Sequence, residues 1–379
     1  MNFRINCDEL LNKLNIIQKA LPAKTSMPVL MGIKIDVYKD YMLLTTCNSD
    51  ITIQAKISGE SIEINEPGRC LVQGKYLIDI IRKINSKQIE MFVYENKLLI
   101  IKSERSEFKL NIMTYEDYPD IKFVNEKNRD LEPIELESFP FRTSVKEILF
   151  ATAINEKRPI LTGVLFKNEN SKLTLIATDS YRLSKKVLNL NNVNDFSMVI
   201  PAKSLKELLN ILEDYEGNFN CYIDNSKVLF KIKETYFETR LLEGNYPDTS
   251  KIVPSEFSLT TKFNRDEIMQ AIDRVSLLSP QDKERNYSIV KFSVTNNRTI
   301  EISSSNQEIG DAIEEIIPID NIEGPVLKIG FNSKYLTDAI RSLPSSDVAI
   351  KFTGEIKPFV VCSDEYPNLL HVILPVKLN

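Results

Sequence analysis

The chain has 379 residues, of which 42% are hydrophobic, so it is long enough for two or three domains with ordinary buried cores. Its formal net charge of −5 excludes a surface that adheres to nucleic acid over its whole extent, but it is compatible with a local basic stripe. No apolar run approaches the length of a membrane span, and the first residues lack the basic-then-apolar run of a signal peptide. We therefore expect a cytoplasmic protein.

Catalytic and metal-binding signals are weak. The five cysteines are scattered and lack metal-ligand spacing, so they predict buried thiols rather than disulfides or a zinc site. The single histidine, His371, has no nucleophile or metal ligand beside it in the sequence and is typical of an ordinary strand residue. Asp179 could be imagined as a catalytic carboxylate, but its position favours a turn residue that bonds its own backbone. With 11 glycines and no phosphate loop, the chain predicts no cofactor, no metal and no enzymatic activity.

Matching features recur three times along the chain, at a spacing of roughly 120 to 140 residues, which is the size of a domain. In chain order, the first such feature is a helix start, where a capping side chain stands three residues before a glutamate. The pairs are Asn6 with Glu9, Ser144 with Glu147, and Asn264 with Glu267. Apolar residues at helical spacing are expected to follow at Leu10, Leu14, Ile17; Ile148, Ala151, Thr152; and Ile268, Ala271, Ile272, Val275.

A hairpin forms the second repeated feature, and its middle copy is the most distinctive stretch of the chain. Leu175 to Thr178 is typical of a strand end, Asp179-Ser180 of a tight turn, and Tyr181-Arg182-Leu183 of the returning strand. Weaker copies are Leu44 to Ile51 and Ile302 to Ile309. Because only the middle copy carries a tyrosine and an arginine after the turn, it has a role beyond folding.

The third feature is a second helix that starts near a lysine and has one apolar stripe at offsets i, i+3, i+4 and i+7. The lysines are Lys75, Lys203 and Lys334, and the stripes are Leu77-Ile80-Ile81-Ile84, Leu205-Leu208-Leu209-Leu212 and Leu336-Ala339-Ile340-Leu343. The positive end of the helix dipole disfavours a cation by up to ~1 kcal/mol. Two interpretations stand: each lysine is ordinary solvated surface, or the three helices line one surface that faces an anion such as a phosphate backbone. Basic residues further along these helices would extend that surface, namely Arg82, Lys83, Lys87, Lys206 and Arg341.

Turns with tyrosine and proline come near the end of each third, at Tyr118-Pro119, Tyr246-Pro247 and Tyr366-Pro367. Strand-rich runs lie between the helices and turn at Glu95-Asn96 and Asn225-Ser226. The predicted fold is α+β, with three tandem domains that each run helix, strands, helix, strands. Polar linkers at Lys122 to Glu132 and Leu242 to Ser255 place the domains at residues 1–127, 128–254 and 255–379.

These features together resemble the beta subunit of bacterial DNA polymerase III, the sliding clamp family, over the whole chain. In that family the central hairpin usually has the sequence Ala-Thr-Asp-Gly-His-Arg-Leu, and Ala177 to Leu183 departs from it at Ser180 and Tyr181. The family's last strand ends in an apolar residue, proline, an apolar residue, a basic residue and leucine. Leu374 to Leu378 fits this pattern, with Asn379 as an extra residue.

The resemblance implies a head-to-tail homodimer, a DNA clamp whose ring has helices inside and antiparallel sheets outside, and which encircles duplex DNA and slides along it. It implies as partners the replicative polymerase, a clamp loader and other clamp-binding replication and repair proteins, which dock peptides between the second and third domains. The positions that match this pocket are Leu161, Thr178, Ser180, Tyr181, Arg182, Leu183, Pro247, Lys251, Ile252, Pro358, Val372, Leu374, Pro375, Val376 and Lys377. We expect donors at the rim of this pocket from Arg182 and Lys377, and an apolar floor formed by Leu161, Leu183, Ile252, Val372, Leu374 and Val376.

For contact with DNA, the resemblance and the lysine pattern together give Lys24, Lys75, Asn155, Lys203 and Lys334. An acidic ring can hold DNA topologically, because a closed ring needs only a weakly attractive inner wall. The alternatives are a peptide-binding scaffold that never encircles DNA and an enzyme built on a repeated fold. Loading on circular DNA would separate a clamp from the scaffold, and turnover that requires Asp179 would indicate the enzyme.

Overall fold

A computed structural model of the chain describes residues 1–127, 131–155, 157–190, 194–279, 281–282, 287–294, 299–322 and 324–377. Leu378 and Asn379 of the carboxy-terminal motif lie outside these residues, as does residue 128, where the second domain was predicted to begin. The chain forms two compact units, residues Met1–Phe141 with Lys203–Leu241 and residues Arg142–Ala202 with Leu242–Asn379. Among the described residues, no helix is both long enough and apolar enough to cross a membrane.

The first third alternates strands with two helices. Its elements are β1 (Asn2–Asn6), α1 (Cys7–Ile17), β2 (Gly32–Val37), β3 (Tyr41–Cys47), β4 (Ile51–Ser58), β5 (Ile62–Glu66), β6 (Gly68–Gln73), α2 (Gly74–Lys83), β7 (Gln88–Tyr94), β8 (Leu98–Lys102) and β9 (Glu107–Asn111). A single-turn helix, α3 (Val124–Lys127), follows in the linker.

The middle third and the last third of the chain repeat this order. The middle third has β10 (Ile134–Glu137), α4 (Ser138–Ile148), β11 (Gly163–Glu169), β12 (Lys172–Thr178), β13 (Arg182–Asn189), β14 (Phe196–Pro201), α5 (Ala202–Ile211), β15 (Asn218–Ile223), β16 (Lys227–Ile232) and β17 (Thr235–Arg240). The last has β18 (Leu259–Asn264), α6 (Arg265–Ser276), β19 (Gln281–Asp282), β20 (Tyr287–Val294), β21 (Ile300–Asn306), β22 (Gly310–Ile316), β23 (Lys328–Asn332), α7 (Ser333–Ser342), β24 (Asp347–Phe352), β25 (Phe359–Cys362) and β26 (Leu369–Ile373).

Each third begins with a strand that the sequence interpretation omitted. This strand pairs antiparallel with the strand that follows the second helix, so that β1 pairs with β7, β10 with β15 and β18 with β24. The two helices of the first third pack against each other, as do the two helices of the last third. Helix, strands, helix, strands therefore describes each third correctly once an opening strand is added.

Antiparallel sheets run continuously from one third into the next. In the first unit, β17 pairs with β4 within the sheet β10-β15-β16-β17-β4-β3-β2-β6. In the second unit, β26 pairs with β13 within the sheet β14-β11-β12-β13-β26-β25-β24-β18. The last strand of the middle third thus extends a sheet of the first third, and the last strand of the last third extends a sheet of the middle third.

Two of the strands that lie at the edge of a sheet in the described chain have counterparts in the repeat that lie inside a sheet. β9 ends the sheet β5-β1-β7-β8-β9 of the first unit, and β22 ends the sheet β19-β20-β21-β22 of the second, in which β23 also pairs with β20. By their positions in the repeat, β9 corresponds to β17 and β26, and β22 corresponds to β4 and β13. Both edge strands are therefore copies of strands that are paired elsewhere in the chain.

The predicted helix starts are confirmed in two of the three copies. The Asn6 side chain accepts hydrogen bonds from the amides of Asp8 and Glu9, and Asn264 accepts them from Asp266 and Glu267. The start predicted at Ser144 is wrong, because α4 already begins at Ser138 and Ser144 is buried inside it. The buried apolar residues of this helix are Phe141, Val145 and Ile148, and they match Leu10, Leu14 and Ile17 of α1.

The second helices follow the prediction closely. All four stripe residues are buried in the segment from Leu205 to Leu212, which covers most of α5, and in the segment from Leu336 to Leu343 of the last third. In α2, Leu77 and Ile81 are buried as predicted, but Ile78 is buried in preference to Ile80 and Ile84. Four cysteines are buried, and Cys362 is half-buried.

The repeat extends to single hydrogen bonds. The Tyr118 hydroxyl donates to the carbonyl of Thr45 at 3.4 Å, and the Tyr246 hydroxyl donates to the carbonyl of Ile176 at 3.2 Å. Both carbonyls lie three residues before the first residue of a hairpin loop. Tyr366 differs, because it lies in the turn between β25 and β26 rather than after a final strand.

Candidate functional site

The central hairpin loop connects β12 to β13 through three residues, Asp179, Ser180 and Tyr181, one more than the sequence predicted. One oxygen of the Asp179 carboxylate, Oδ1, accepts hydrogen bonds from the amides of Tyr181 at 2.9 Å and Arg182 at 3.0 Å. Asp179 thus serves as the turn residue that the sequence indicated. Ser180 lies at φ +77°, in the left-handed region where a residue with a Cβ is uncommon.

The Arg182 side chain is buried, with 8% of the residue exposed. Its Nε donates to Asp179 Oδ2 at 3.0 Å, one terminal nitrogen donates to Asp338 Oδ2 at 2.8 Å, and the other donates to the carbonyl of Phe150 at 2.7 Å. The guanidinium also lies over the rings of Phe150 and Tyr335, at 5.2 Å and 4.5 Å from their centroids. The expectation of a rim donor is therefore wrong for Arg182, because its nitrogens serve interactions inside the protein.

The segment that follows β26 lies directly beside this loop. Leu183 is paired with Val372 in the register of β13 and β26, and the amide of Leu374 donates to the carbonyl of Tyr181 at 2.9 Å. Two residues later, the amide of Val376 donates to the carbonyl of Gly330 at 2.7 Å. The side chains of Tyr181 and Leu374 remain 55% and 37% exposed, respectively.

An apolar cluster lies beneath this segment. Leu183 and Val372 are buried in it together with Leu165, Ile176, Val199 and Val360, and Ile252 packs against it half-buried. Of the predicted floor, Leu183, Ile252 and Val372 are thus brought together. Leu161 is buried but is not a member of this cluster.

A cavity of about 530 Å³ adjoins the cluster and shares three of the predicted residues. Its lining comprises Lys251, Ile252, Pro254, Ser255, Glu256, Phe257, Ser258, Thr353, Lys357 and Pro358. The remaining predicted residues differ in exposure. Thr178 is buried, with its hydroxyl donating to the Arg182 carbonyl at 2.6 Å; Pro375 and Val376 are half-buried; and Ser180, Pro247 and Lys377 are exposed.

Under the same loop, His371 is a strand residue of β26, as predicted. Its Nδ1 and Nε2 lie 2.9 Å from the hydroxyls of Ser184 and Ser342, and 1% of the residue is exposed. Burial, together with the positive charges of Lys186 and Arg182, lowers the pKa of His371 to about 3. The imidazole is therefore neutral at physiological pH.

The five residues predicted to contact DNA are all exposed. Lys75, Lys203 and Lys334 each occupy the second position of their helix. In the first unit, Lys75 lines a cleft of about 310 Å³ together with Ala23, the neighbour of Lys24. Asn155 lies in the loop that follows the 3-10 turn Leu149–Ala151.

Known protein families match this chain along nearly its whole length. Family models for the DNA polymerase III beta subunit match the N-terminal domain at residues 1–122, the central domain at residues 135–248 and the C-terminal domain at residues 250–377. The chain belongs to the sliding clamp family.

Its relatives match from end to end. The chain is 36% identical to the beta sliding clamp of Bacillus subtilis, with 100% of both chains covered, and 35% identical to that of Staphylococcus epidermidis, with 100% of this chain and 99% of the relative covered. The crystal structure of the Bacillus subtilis clamp superimposes with a TM-score of 0.94, and that of the Streptococcus pneumoniae beta chain, 31% identical, also with 0.94. Both structures are covered completely, so the fold of this clamp is three tandem clamp domains.

Sequence patterns did not point to the residues outside the hairpin that contact the Arg182 side chain. Asp338 is 156 residues from Arg182 and belongs to a helix that attracted attention only through Lys334. Phe150 and Tyr335 were likewise missed. The one available signal was an arginine directly after the hairpin loop, at a position where the other two hairpin copies have no arginine.

Proposed function

We propose that this clamp is a homodimer whose two chains close a ring around duplex DNA, slide along it and tether the replicative polymerase. Its further partners would be a clamp loader and other clamp-binding replication and repair proteins. In this proposal the three domains span residues 1–127, 128–254 and 255–379. The chain carries out no catalysis and needs no cofactor, since its task is mechanical.

The observation that carries the proposal is the pair of edge strands β9 and β22. Their counterparts β17 and β4 pair with each other, as do β26 and β13, so the fold already uses this strand pairing twice within one chain. An unpaired edge is a template for another strand. Pairing β9 of one chain with β22 of a second would use the same junction twice more and close a two-fold ring.

Apolar side chains on β22 support this junction. Ile313 is 69% exposed on the strand, and Ile309 and Ile317 beside its ends are 65% and 75% exposed. Large apolar side chains concentrated along one sheet edge are typical of a surface that is covered in the assembly. The charged pair of Arg274 and Glu314 beside them would give the junction a polar rim.

The test is the mass of the protein in solution. Light scattering at micromolar concentration should give twice 43.5 kDa for the intact protein, and 43.5 kDa after Ile313→Asp, because a carboxylate cannot be buried against β9 without a partner. Ile356→Asp is the control, since Ile356 is 82% exposed but lies outside β22. A persistent wild-type monomer, or an Ile313→Asp dimer as stable as the control, would contradict the proposal.

Partner docking would use the groove formed by the central hairpin, the segment from Pro247 to Ile252 and the carboxy-terminal residues. The apolar cluster around Leu183 and Val372 supplies a floor, and Leu374 and Tyr181 offer exposed apolar surface beside it. An extended peptide with one or two apolar anchors and a polar residue fits this chemistry, at the micromolar affinity typical of exchangeable partners. A scaffold that binds such peptides without encircling DNA is the second candidate, and retention on circular DNA separates the two.

A further inference from the structure

The loop that faces the groove is held in an uncommon conformation. Ser180 has a φ of +77°, and in L-residues with a Cβ this left-handed conformation persists only when the surroundings impose it. The Ser180 amide donates to Thr178 Oγ1 at 3.2 Å, and the Asp179 carboxylate holds the amides on the far side of the loop. The shape of the loop therefore depends on where the Asp179 carboxylate is fixed.

The Arg182 side chain holds the Asp179 carboxylate in place. Its Nε donates to Asp179 Oδ2, while the other two nitrogens are anchored to Asp338 on α7 and to the carbonyl of Phe150. A guanidinium has the planar fork needed to satisfy three acceptors in fixed directions, which a lysine lacks. With 8% of the residue exposed, Arg182 presents little surface to a bound peptide.

We propose that Arg182 is a positioning residue for partner-peptide binding, which holds the Asp179–Tyr181 loop in its left-handed turn from an anchor on α7 instead of contacting the peptide. The carbonyl of Tyr181 in turn accepts the Leu374 amide, so the position of the carboxy-terminal segment follows from the same anchor. The inference rests on the proposed peptide groove. It assigns part of the peptide affinity to Asp338, a residue that forms no part of the groove as proposed.

The chain supplies a matched pair of variants. Asp338 lies four residues after Lys334 in α7, and Asp79 lies four residues after Lys75 in α2. Each aspartate pairs with an arginine three residues later, Asp338 with Arg341 and Asp79 with Arg82. Asp338→Ala and Asp79→Ala therefore remove the same helix-surface pair, and only the first also removes the anchor of Arg182.

Fluorescence anisotropy with a labelled peptide from the replicative polymerase measures the effect. We expect Arg182→Lys to weaken binding at least tenfold and Asp338→Ala at least threefold, with Asp79→Ala unchanged. Adding Ser180→Gly should restore part of the affinity to both weakened variants, because glycine adopts the left-handed turn without being forced into it. Wild-type affinity in Asp338→Ala, or no restoration by Ser180→Gly, would overturn the proposal and leave Arg182 as a direct contact.

Hydrogen exchange provides a readout that needs no peptide. The amides of Tyr181 and Arg182 should exchange faster in Asp338→Ala than in Asp79→Ala, since both donate to the Asp179 carboxylate. If the wild-type protein bound no peptide while this difference appeared, the proposed function would fail and the loop anchor would stand. Equal exchange in the two variants would overturn the anchor itself, and this comparison remains valid if Arg182→Lys does not fold.

Discussion

At the scale of single residues, this clamp buries polar side chains where a sheet passes from the second domain to the third. His371 bonds two serine hydroxyls beneath the groove, and Lys186 and Glu147 form a salt bridge of 2.7 Å in which each side chain is 7% exposed. Such groups stabilise only while every partner is present, because an uncompensated buried charge is costly. The hairpin copies in the other two domains carry no arginine that corresponds to Arg182.

The neutral state of His371 makes stability depend on pH. The pKa of the histidine is about 3 in the folded protein and about 6.5 when unfolded, so the unfolded chain binds the extra proton as the pH falls below 6.5. The contribution of His371 to the free energy of unfolding is complete above pH ~6.5. It is lost as the pH falls toward ~3, at about 1.4 kcal/mol per pH unit.

We expect the free energy of unfolding of the wild-type protein to fall, relative to that of His371→Asn, by about 2 kcal/mol between pH 6.5 and 5. Urea denaturation at several pH values measures this difference, and the carboxylates common to both proteins cancel from it. Because His371 is the only histidine, no other imidazole contributes. Parallel curves for the two proteins would show that His371 is not held neutral.

At the scale of elements, some strands of this clamp pair with a sheet outside their own domain. β26 belongs to the last domain but pairs with β13, and the segment after it continues along the hairpin loop through the Leu374 amide. A partner peptide would therefore lie against residues far apart in the sequence. The carboxy-terminal segment follows β26, and Val376 in it bridges to Gly330 of β23.

Deleting Leu374 to Asn379 should abolish binding of a polymerase-derived peptide, because it removes Leu374 and the hydrogen bonds to Tyr181 and Gly330. Deleting only Leu378 and Asn379 is the control and should leave the affinity within about twofold, since a twofold change corresponds to only ~0.4 kcal/mol. Both proteins should remain dimers, as neither β9 nor β22 is altered. Anisotropy with the labelled peptide decides the matter, and tight binding by the longer deletion would place the docking site elsewhere.

Local patterns predicted most of the elements, and long-range contacts account for what was missed. The stripe Leu205-Leu208-Leu209-Leu212 identified α5 because a helix face is encoded within eight residues. The start of α4 was missed because Pro140 lies in its first turn, where a proline is tolerated, while Ser144 and Glu147 imitate a capping box inside the helix. The partners of Arg182 could not be predicted, since no local pattern connects residues 156 positions apart.

At the scale of the whole molecule, the net charge of −5 has the same sign as the charge of the DNA phosphates, so the proposed ring cannot depend on attraction over its whole surface. A ring that closes around the duplex is retained by topology, and its inner wall needs only weak attraction to phosphates. Lysines at the second position of a helix suit that task, because each is exposed, and a point charge on a flexible stem attracts phosphates without reading bases.

Replacing Lys24, Lys75, Lys203 and Lys334 together by glutamate should leave the fold intact, because all four side chains are exposed. Duplex retention should weaken, and its dependence on salt should flatten by up to ~0.9 in logarithmic slope for each phosphate that a lysine no longer neutralises. The control replaces Lys39, Lys97, Lys172 and Lys357, which are also exposed but lie outside the helices, and so changes the net charge equally. Equal retention and equal salt slopes for the two variants would show that the four lysines are ordinary solvated surface.

Encirclement of DNA is tested by comparing retention of the protein on circular and on linear DNA. The labelled protein is loaded by its clamp loader with ATP onto a nicked circular plasmid, which is then separated from free protein by gel filtration, with half of the sample first cut once by a restriction enzyme. We expect the protein to stay with the intact circle at a salt concentration that abolishes ordinary phosphate contacts, and to slide off the linear molecule. Equal retention on circular and linear DNA, or retention on neither, would contradict encirclement.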